Sequence, residues 1–211
     1  MRLSSRSFRD HHRIPGRCAF ARRSPSGHIR LAENLNPSLH WAGAPSATRS
    51  YVLTCIDADA PTRADDVNRE GRIVPADLPR AEFVHWLMVD IPPTLTSLEE
   101  GACSQGVIAH GKTQPAGPAG ARQGLNDYTG WFKGDAAMEG QYLGYDGPCP
   151  PWNDARVHRY RYEILATDLE RCPVEGAYTL AELRAALAGH VLARAAITGL
   201  YSLNPDIRLQ R

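Results

Sequence analysis

The stretch Gly144-Tyr145-Asp146-Gly147-Pro148-Cys149-Pro150-Pro151 constrains the fold more than any other part of the chain. It reads as a rigid loop, because prolines fix the backbone path and glycines allow it to pass close to other groups. After Trp152–Val157 the loop runs into His158-Arg159-Tyr160, the start of a segment that alternates like a strand. His158 and Tyr160 are two residues apart and therefore share one face of that strand. Loop and strand together suit a small, preformed pocket with a polar floor.

Two further runs read as strands. Ser50-Tyr51-Val52-Leu53-Thr54-Cys55-Ile56 is apolar on both faces and rich in β-formers, as a central strand is, and Asp57-Ala58-Asp59-Ala60-Pro61 is expected to end it. Glu82–Val89 is the next, stopped by Asp90-Ile91-Pro92-Pro93, and His158–Thr167 is the third. Residues 62–80 form a charged surface loop, and residues 94–130 are broken by glycine and proline throughout. One long helix is predicted near the end. Thr179-Leu180-Ala181-Glu182 is a capping box, and Leu180, Leu183, Leu187 and Val191 follow at helical spacing, with Gly199 as the stop. Leu192 and Ile197 fall off that stripe and either pack on the domain, the favoured reading, or join two copies in a homodimer. Strands, long loops and a late helix imply a mainly β fold with peripheral helices.

The chain has 211 residues, 43% of them hydrophobic, enough for one domain spanning 1–211, with an irregular basic segment over 1–30 and a core over 31–205. Lys+Arg 24 against Asp+Glu 23 leaves a net charge of +1, so nucleic acid is not an expected partner and any anion site must be local. No apolar run approaches the roughly 18 residues of a membrane span, and the N-terminal arginines lack the apolar stretch of a secretory signal. Five scattered cysteines without a CxxC pair read as reduced thiols, which points to the cytoplasm. No Gly-rich phosphate loop opens a helix and no GxSxG elbow is present, so nucleotide folds and serine hydrolases are disfavoured. Cys149, between two prolines, reads as a turn residue.

Three strand-end segments carry polar groups in apolar company: Asp57 with Asp59, Glu82 with His85, and His158 with Tyr160. Histidine suits reversible binding of a phosphate or carboxylate near neutral pH. A neighbouring carboxylate would orient its ring, while a tyrosine hydroxyl and free N–H groups of the glycine loop would complete an anion cradle. Each group also has a bland role: His85 as a hydrogen-bonded core residue, the aspartates as turn formers, His158 and Tyr160 as packing. Asp57, His85 and His158 could in principle ligate a metal, but their spacing is not that of typical ligands. His110 and His190 read as structural.

These residues resemble the motifs of the phosphatidylethanolamine-binding protein (PEBP) family, in its bacterial Raf-kinase-inhibitor-like branch. Asp57-Ala58-Asp59-Ala60-Pro61-Thr62-Arg63 is similar to a DPDAPxR segment, Glu82-Phe83-Val84-His85-Trp86 to an ExxH[FW] strand, and Gly147-Pro148-Cys149-Pro150-Pro151 leading to His158-Arg159-Tyr160 to a GPxPP…HRY stretch. Asn36-Pro37-Ser38-Leu39-His40-Trp41 is similar to an upstream signature. The resemblance implies a large antiparallel β-sheet packed against a smaller one, with helices near the C-terminus. It also implies a pocket for phosphate, carboxylate or a phospholipid headgroup, lined by Asp57, Asp59, Glu82, His85, Gly147, Pro150, His158 and Tyr160, without cofactor or catalysis. Ala58 stands where the family has proline, and the Trp152–Arg156 insert lengthens the loop. The alternative is a regulatory module that inhibits a protein partner, a protease or kinase, through exposed loops; a phosphoesterase is disfavoured for want of a nucleophile. If both histidines titrate near ~6.5, anion affinity rises as pH falls from 8 to 6.

Overall fold

A computed structural model of the chain describes residues 1–209. The strands are β1 (Arg2–Ser4), β2 (His12–Arg13), β3 (Ala21–Arg23), β4 (Ile29–Leu31), β5 (Leu39–Ala42), β6 (Ser50–Pro61), β7 (Arg80–Ile91), β8 (Ser97–Leu98), β9 (Arg122–Gln123), β10 (His158–Thr167) and β11 (Val191–Tyr201). Two short helices, α1 (Tyr128–Trp131) and α2 (Leu180–Ala186), complete the regular structure with two single 3-10 turns.

Six strands form the main sheet in the order β2-β11-β10-β6-β7-β9, antiparallel except where β2 lies parallel to β11. The smaller sheet is β1-β5-β8, and β3 with β4 forms a separate hairpin. The predicted architecture of a large sheet against a smaller one is what the chain adopts. Leu53, Cys55, Trp86, Met88, Tyr162 and Ile164 on one face of the large sheet share a core with Leu39, Trp41 and Leu98 of the smaller sheet. Val52, Val84, Leu87 and Leu165 on the other face are covered by Tyr178, Leu183 and Leu187 on and around α2. Both faces of the central strands are dry, which accounts for their uninterrupted apolar runs.

Three expectations need correction. The long C-terminal helix is one short helix followed by a strand. The capping box forms, with the Thr179 side chain accepting from the Glu182 N–H and the Glu182 carboxylate accepting from the Thr179 N–H. The helix then stops before Gly189, whose φ of +83° sits in the left-handed region that ends helices. Val191–Tyr201 pairs with β10 along its whole length. Gly199 is therefore no helix stop: it lies inside β11, where an added Cβ would sit 2.4 Å from Ile14 Cγ1. The second correction concerns Asp57–Pro61, which does not end the strand; β6 continues to Pro61 through an irregularity in its pairing with β7. Residues 1–30, expected to be irregular, contribute four short strands at sheet edges.

Candidate functional site

β6, β7 and β10 lie side by side, and their register places Tyr160 opposite Asp57 and Asp57 opposite Phe83. His85 reaches the same face by a bulge. Cys55 pairs with Trp86 but Ile56 pairs with Val84, so His85 is the extra residue and has no opposite number. The bulge lets His85 and Trp86 point to one side while Val84 and Leu87 pack on the other.

Above this floor is a cavity of about 420 Å³. Its walls are largely apolar: Phe20 and Phe83, Tyr128 and Trp131 of α1, Phe132, and Pro150 and Pro151 of the glycine-proline loop. The rings pack on one another, with Phe20 stacked on Tyr128 at 4.5 Å and His85 edge-on to Tyr160 at 5.0 Å. Ile29 and Leu31 of the β3–β4 hairpin and Trp131 remain exposed at the mouth, beside Arg63.

His158 is held between two carboxylates. Its Nδ1 lies 2.6 Å from Asp57 Oδ2 and its Nε2 3.0 Å from Asp154 Oδ2, and Arg80 holds the Asp154 carboxylate from the other side at 2.5 and 3.0 Å. Burial works against charge on this ring, but Asp57 and Asp154 together outweigh it and raise the imidazolium pKa to about 9. His158 is thus a buried cation with both nitrogens committed. His85 behaves in the opposite way. Burial lowers its pKa, only partly offset by Asp57 and the Asp146 carbonyl, so the ring is neutral near pH 7. The expectation of two histidines titrating together near ~6.5 is therefore replaced by one already charged and one that resists charging.

The Asp146 carboxylate is fixed by Asn34 at 2.7 Å, Asn126 at 2.9 Å and Lys112 at 2.7 Å. Its backbone oxygen lies 2.7 Å from His85 Nδ1. Among the described residues, neither His85 Nε2 nor the Tyr160 hydroxyl has a hydrogen-bond partner in the protein, although both side chains are buried and line the cavity.

Asp57, His85, Pro150, His158 and Tyr160 of the expected site all border the cavity, and the other three residues lie elsewhere. Glu82 sits on the outer surface in an ion pair with Arg184 at 2.8 Å, because strand alternation turns it away from Phe83. Asp59 is buried beside the floor and bound by Arg159 and Arg156, which hold its carboxyl below the usual range despite its burial. Gly147 is behind the wall: its N–H donates to Asn34 Oδ1 and its carbonyl accepts from the Tyr128 hydroxyl. That N–H is not available to an anion. Gly147 is needed for close approach, since a Cβ there would lie 2.2 Å from the Cys18 carbonyl oxygen. Cys149 is a wall residue as well as a turn residue, and desolvation pushes its thiol up to about 12.

Sequence reasoning missed Asp154, Arg80, Asp146 and the aromatic wall. Asp154 is four residues before His158 in the insert, a spacing that could have signalled a partner. Phe20 and Tyr128 carried no such signal, because only the tertiary fold brings them together. The insert itself is anchored by Asn153, whose amide nitrogen reaches the carbonyls of Asp66, Arg69 and Arg72 in the 62–80 loop.

A two-sheet β protein with a cavity at the bulged edge of its central strands is the class that these features define. Residues 4–202 match the sequence profile described as phosphatidylethanolamine-binding protein. The chain belongs to that family. A protein of Methanothermobacter thermautotrophicus, called UPF0098 protein, is 31% identical over 95% of this chain and 98% of its own length. The Escherichia coli UPF0098 protein YbhB is 30% identical over 96% of this chain and its full length. The crystal structure of E. coli YbcL, described as a new member of the mammalian PEBP family, superposes with a TM-score of 0.66 at 28% identity, covering 95% of this chain and 97% of that one.

Proposed function

We propose that this chain is a non-enzymatic binding protein whose cavity takes a small anionic head group, a phosphate, a carboxylate or a phospholipid headgroup, as in the Raf-kinase-inhibitor-like branch of its family. The carrying observation is the pair of unpartnered polar atoms, His85 Nε2 and the Tyr160 hydroxyl, at the foot of an otherwise apolar cavity. Both atoms face the open cavity with no competing partner in the protein, so a ligand group placed there can hydrogen-bond to them directly. Family membership supports the same reading.

Binding without turnover is favoured by the state of the candidate catalysts. His158 is locked between carboxylates, and the Cys149 thiol is held far from ionisation at neutral pH. Both conditions suit a scaffold better than a base or a nucleophile. The five free cysteines fit a cytoplasmic location, and among the described residues no helix is long and apolar enough to cross a membrane.

Calorimetric titration of phosphoethanolamine at pH 6.5 into wild type and His85→Ala tests the reading. Saturable binding lost in the variant is expected. Absence of binding to the wild type would turn attention to the alternative, a regulatory module engaging a protein through the 62–80 loop, where Ile73 is 67% exposed.

A further inference from the structure

The cavity floor has a definite hydrogen-bond polarity. A carbonyl oxygen can only accept, so the 2.7 Å contact between His85 Nδ1 and the Asp146 oxygen puts the ring hydrogen on Nδ1. In the neutral ring Nε2 then presents a lone pair. The carbonyl cannot swing away, because Asn34, Asn126 and Lys112 hold the Asp146 side chain and Lys112 also donates to the Tyr145 carbonyl.

Three carboxylates face His85: Asp57 from β6, Asp127 from the turn before α1, and Asp146 from the glycine loop. The rings of Phe83, Tyr128 and Tyr160 enclose it, and its burial keeps it neutral. The positive charges beside the floor are matched, His158 and Arg80 by Asp57 and Asp154. Among the described residues no cation beside the floor is left without a carboxylate, and Arg63, which also lines the cavity, is exposed. The groups of the floor that have no partner within the protein are His85 Nε2, an acceptor, and the Tyr160 hydroxyl, which can donate; Asp57, already bound to His158, adds only further acceptor oxygens.

We propose that the cavity selects the proton-bearing monoanion of a phosphate monoester, with its P–OH donating to His85 Nε2 and a second phosphate oxygen accepting from the Tyr160 hydroxyl. The ester's organic part lies against Phe20, Trp131 and Phe132. A dianion would set an oxygen lone pair against that of Nε2, in a floor without a compensating charge. This inference rests on the anion-site reading above and adds the protonation state of the phosphate that the site accepts.

Phenyl phosphate and phenyl sulfate are nearly the same shape, but only the phosphate has a proton to give. Titrated calorimetrically into the wild type at pH 6.5, the phosphate is expected to bind tenfold or more tightly, the effect of mismatching one buried hydrogen bond being about that size. Since the second ionisation of a phosphate monoester lies near ~6, its affinity is expected to fall about tenfold per pH unit above 7. Titration at pH 7.5 in two buffers of different ionisation enthalpy is expected to show uptake of close to one proton. His85→Gln, whose amide can donate, is expected to bind the sulfate better than the wild type does. Equal affinity for the two esters would overturn the inference, as would sulfate binding with proton uptake, which would mean that His85 itself takes the charge. If neither ester binds the wild type, the anion-site reading fails, and the inference with it. Inorganic phosphate and vesicles containing phosphatidic acid, run alongside, separate the sources: proton-linked binding of the first supports a soluble phosphate, and of the second alone a lipid headgroup.

Discussion

His158 and Asp57 meet in the floor of the cavity, Nδ1 to Oδ2 at 2.6 Å, and the same ring reaches Asp154 through its other nitrogen. One imidazolium thereby ties β10 to β6 and to the loop that precedes β10. Arg80 extends the tie to β7 by holding Asp154 and the Asp59 carbonyl together. His158, which borders the cavity, is also a strut that joins these strands.

The strut predicts a pH-dependent stability. The folded pKa of His158, about 9, lies above the ordinary 6.5, so its contribution is complete below about 6.5 and is lost as the pH climbs through about 9. A shift of that size corresponds to roughly 3 kcal/mol. Urea unfolding of wild type and His158→Gln is expected to show a gap of that order at pH 6, shrinking steadily towards pH 10. A gap that does not change with pH would mean that neutral hydrogen bonds, and not the charge, hold the strands.

Asp146 predicts an asymmetry between two truncations. Asp146→Ala leaves the Lys112 ammonium, only 12% exposed, without its carboxylate, and breaking one side of a buried pair costs about 3–5 kcal/mol. Lys112→Met leaves Asp146 with two amide donors, from Asn34 and Asn126, and is expected to cost clearly less. Chemical denaturation of the two variants measures the difference, and equal losses would refute the assignment of Asp146 as the hub.

Two glycines should respond oppositely to alanine. Gly147→Ala forces a Cβ to within 2.2 Å of the Cys18 carbonyl oxygen, an overpacking expected to cost about 1–3 kcal/mol and to weaken ligand binding by displacing the loop behind His85. Gly130 in α1 has open space where its Cβ would go and no left-handed φ, so Gly130→Ala is expected to be neutral or stabilising by about 0.5–1 kcal/mol. Thermal melts of the pair separate the effects.

Much of the sheet was legible because its strands are built from β-branched and aromatic runs between clear breakers; the range His158–Thr167 read from sequence is the observed strand. The misreading of Val191–Tyr201 has a specific cause. The spacing of Leu180, Leu183 and Leu187 is genuinely helical, and Val191 continues it by coincidence across a turn at Gly189. Pairing with β10 then decides the segment, and no local pattern reports a partner strand. At the site, Asp57, His85, His158 and Tyr160 were legible through the motifs that contain them. Their roles were not, because whether a histidine is a strut or an open acceptor depends on which oxygens the fold brings to its two nitrogens. Glu82, one position from a wall residue, shows how little proximity in sequence says about facing.

The bulge in β7 has a consequence for how this site is specified. His85 reaches the cavity because β7 has one residue more than its neighbour over that stretch. Shortening β7 there by a single residue would restore an even ladder and remove the extra step that now carries His85 and Trp86 to one side. The aromatic core and the polar floor would then compete for the same side of the sheet, with every side chain of the site still encoded. The cavity is thus written in the count of residues along a strand as much as in their kinds.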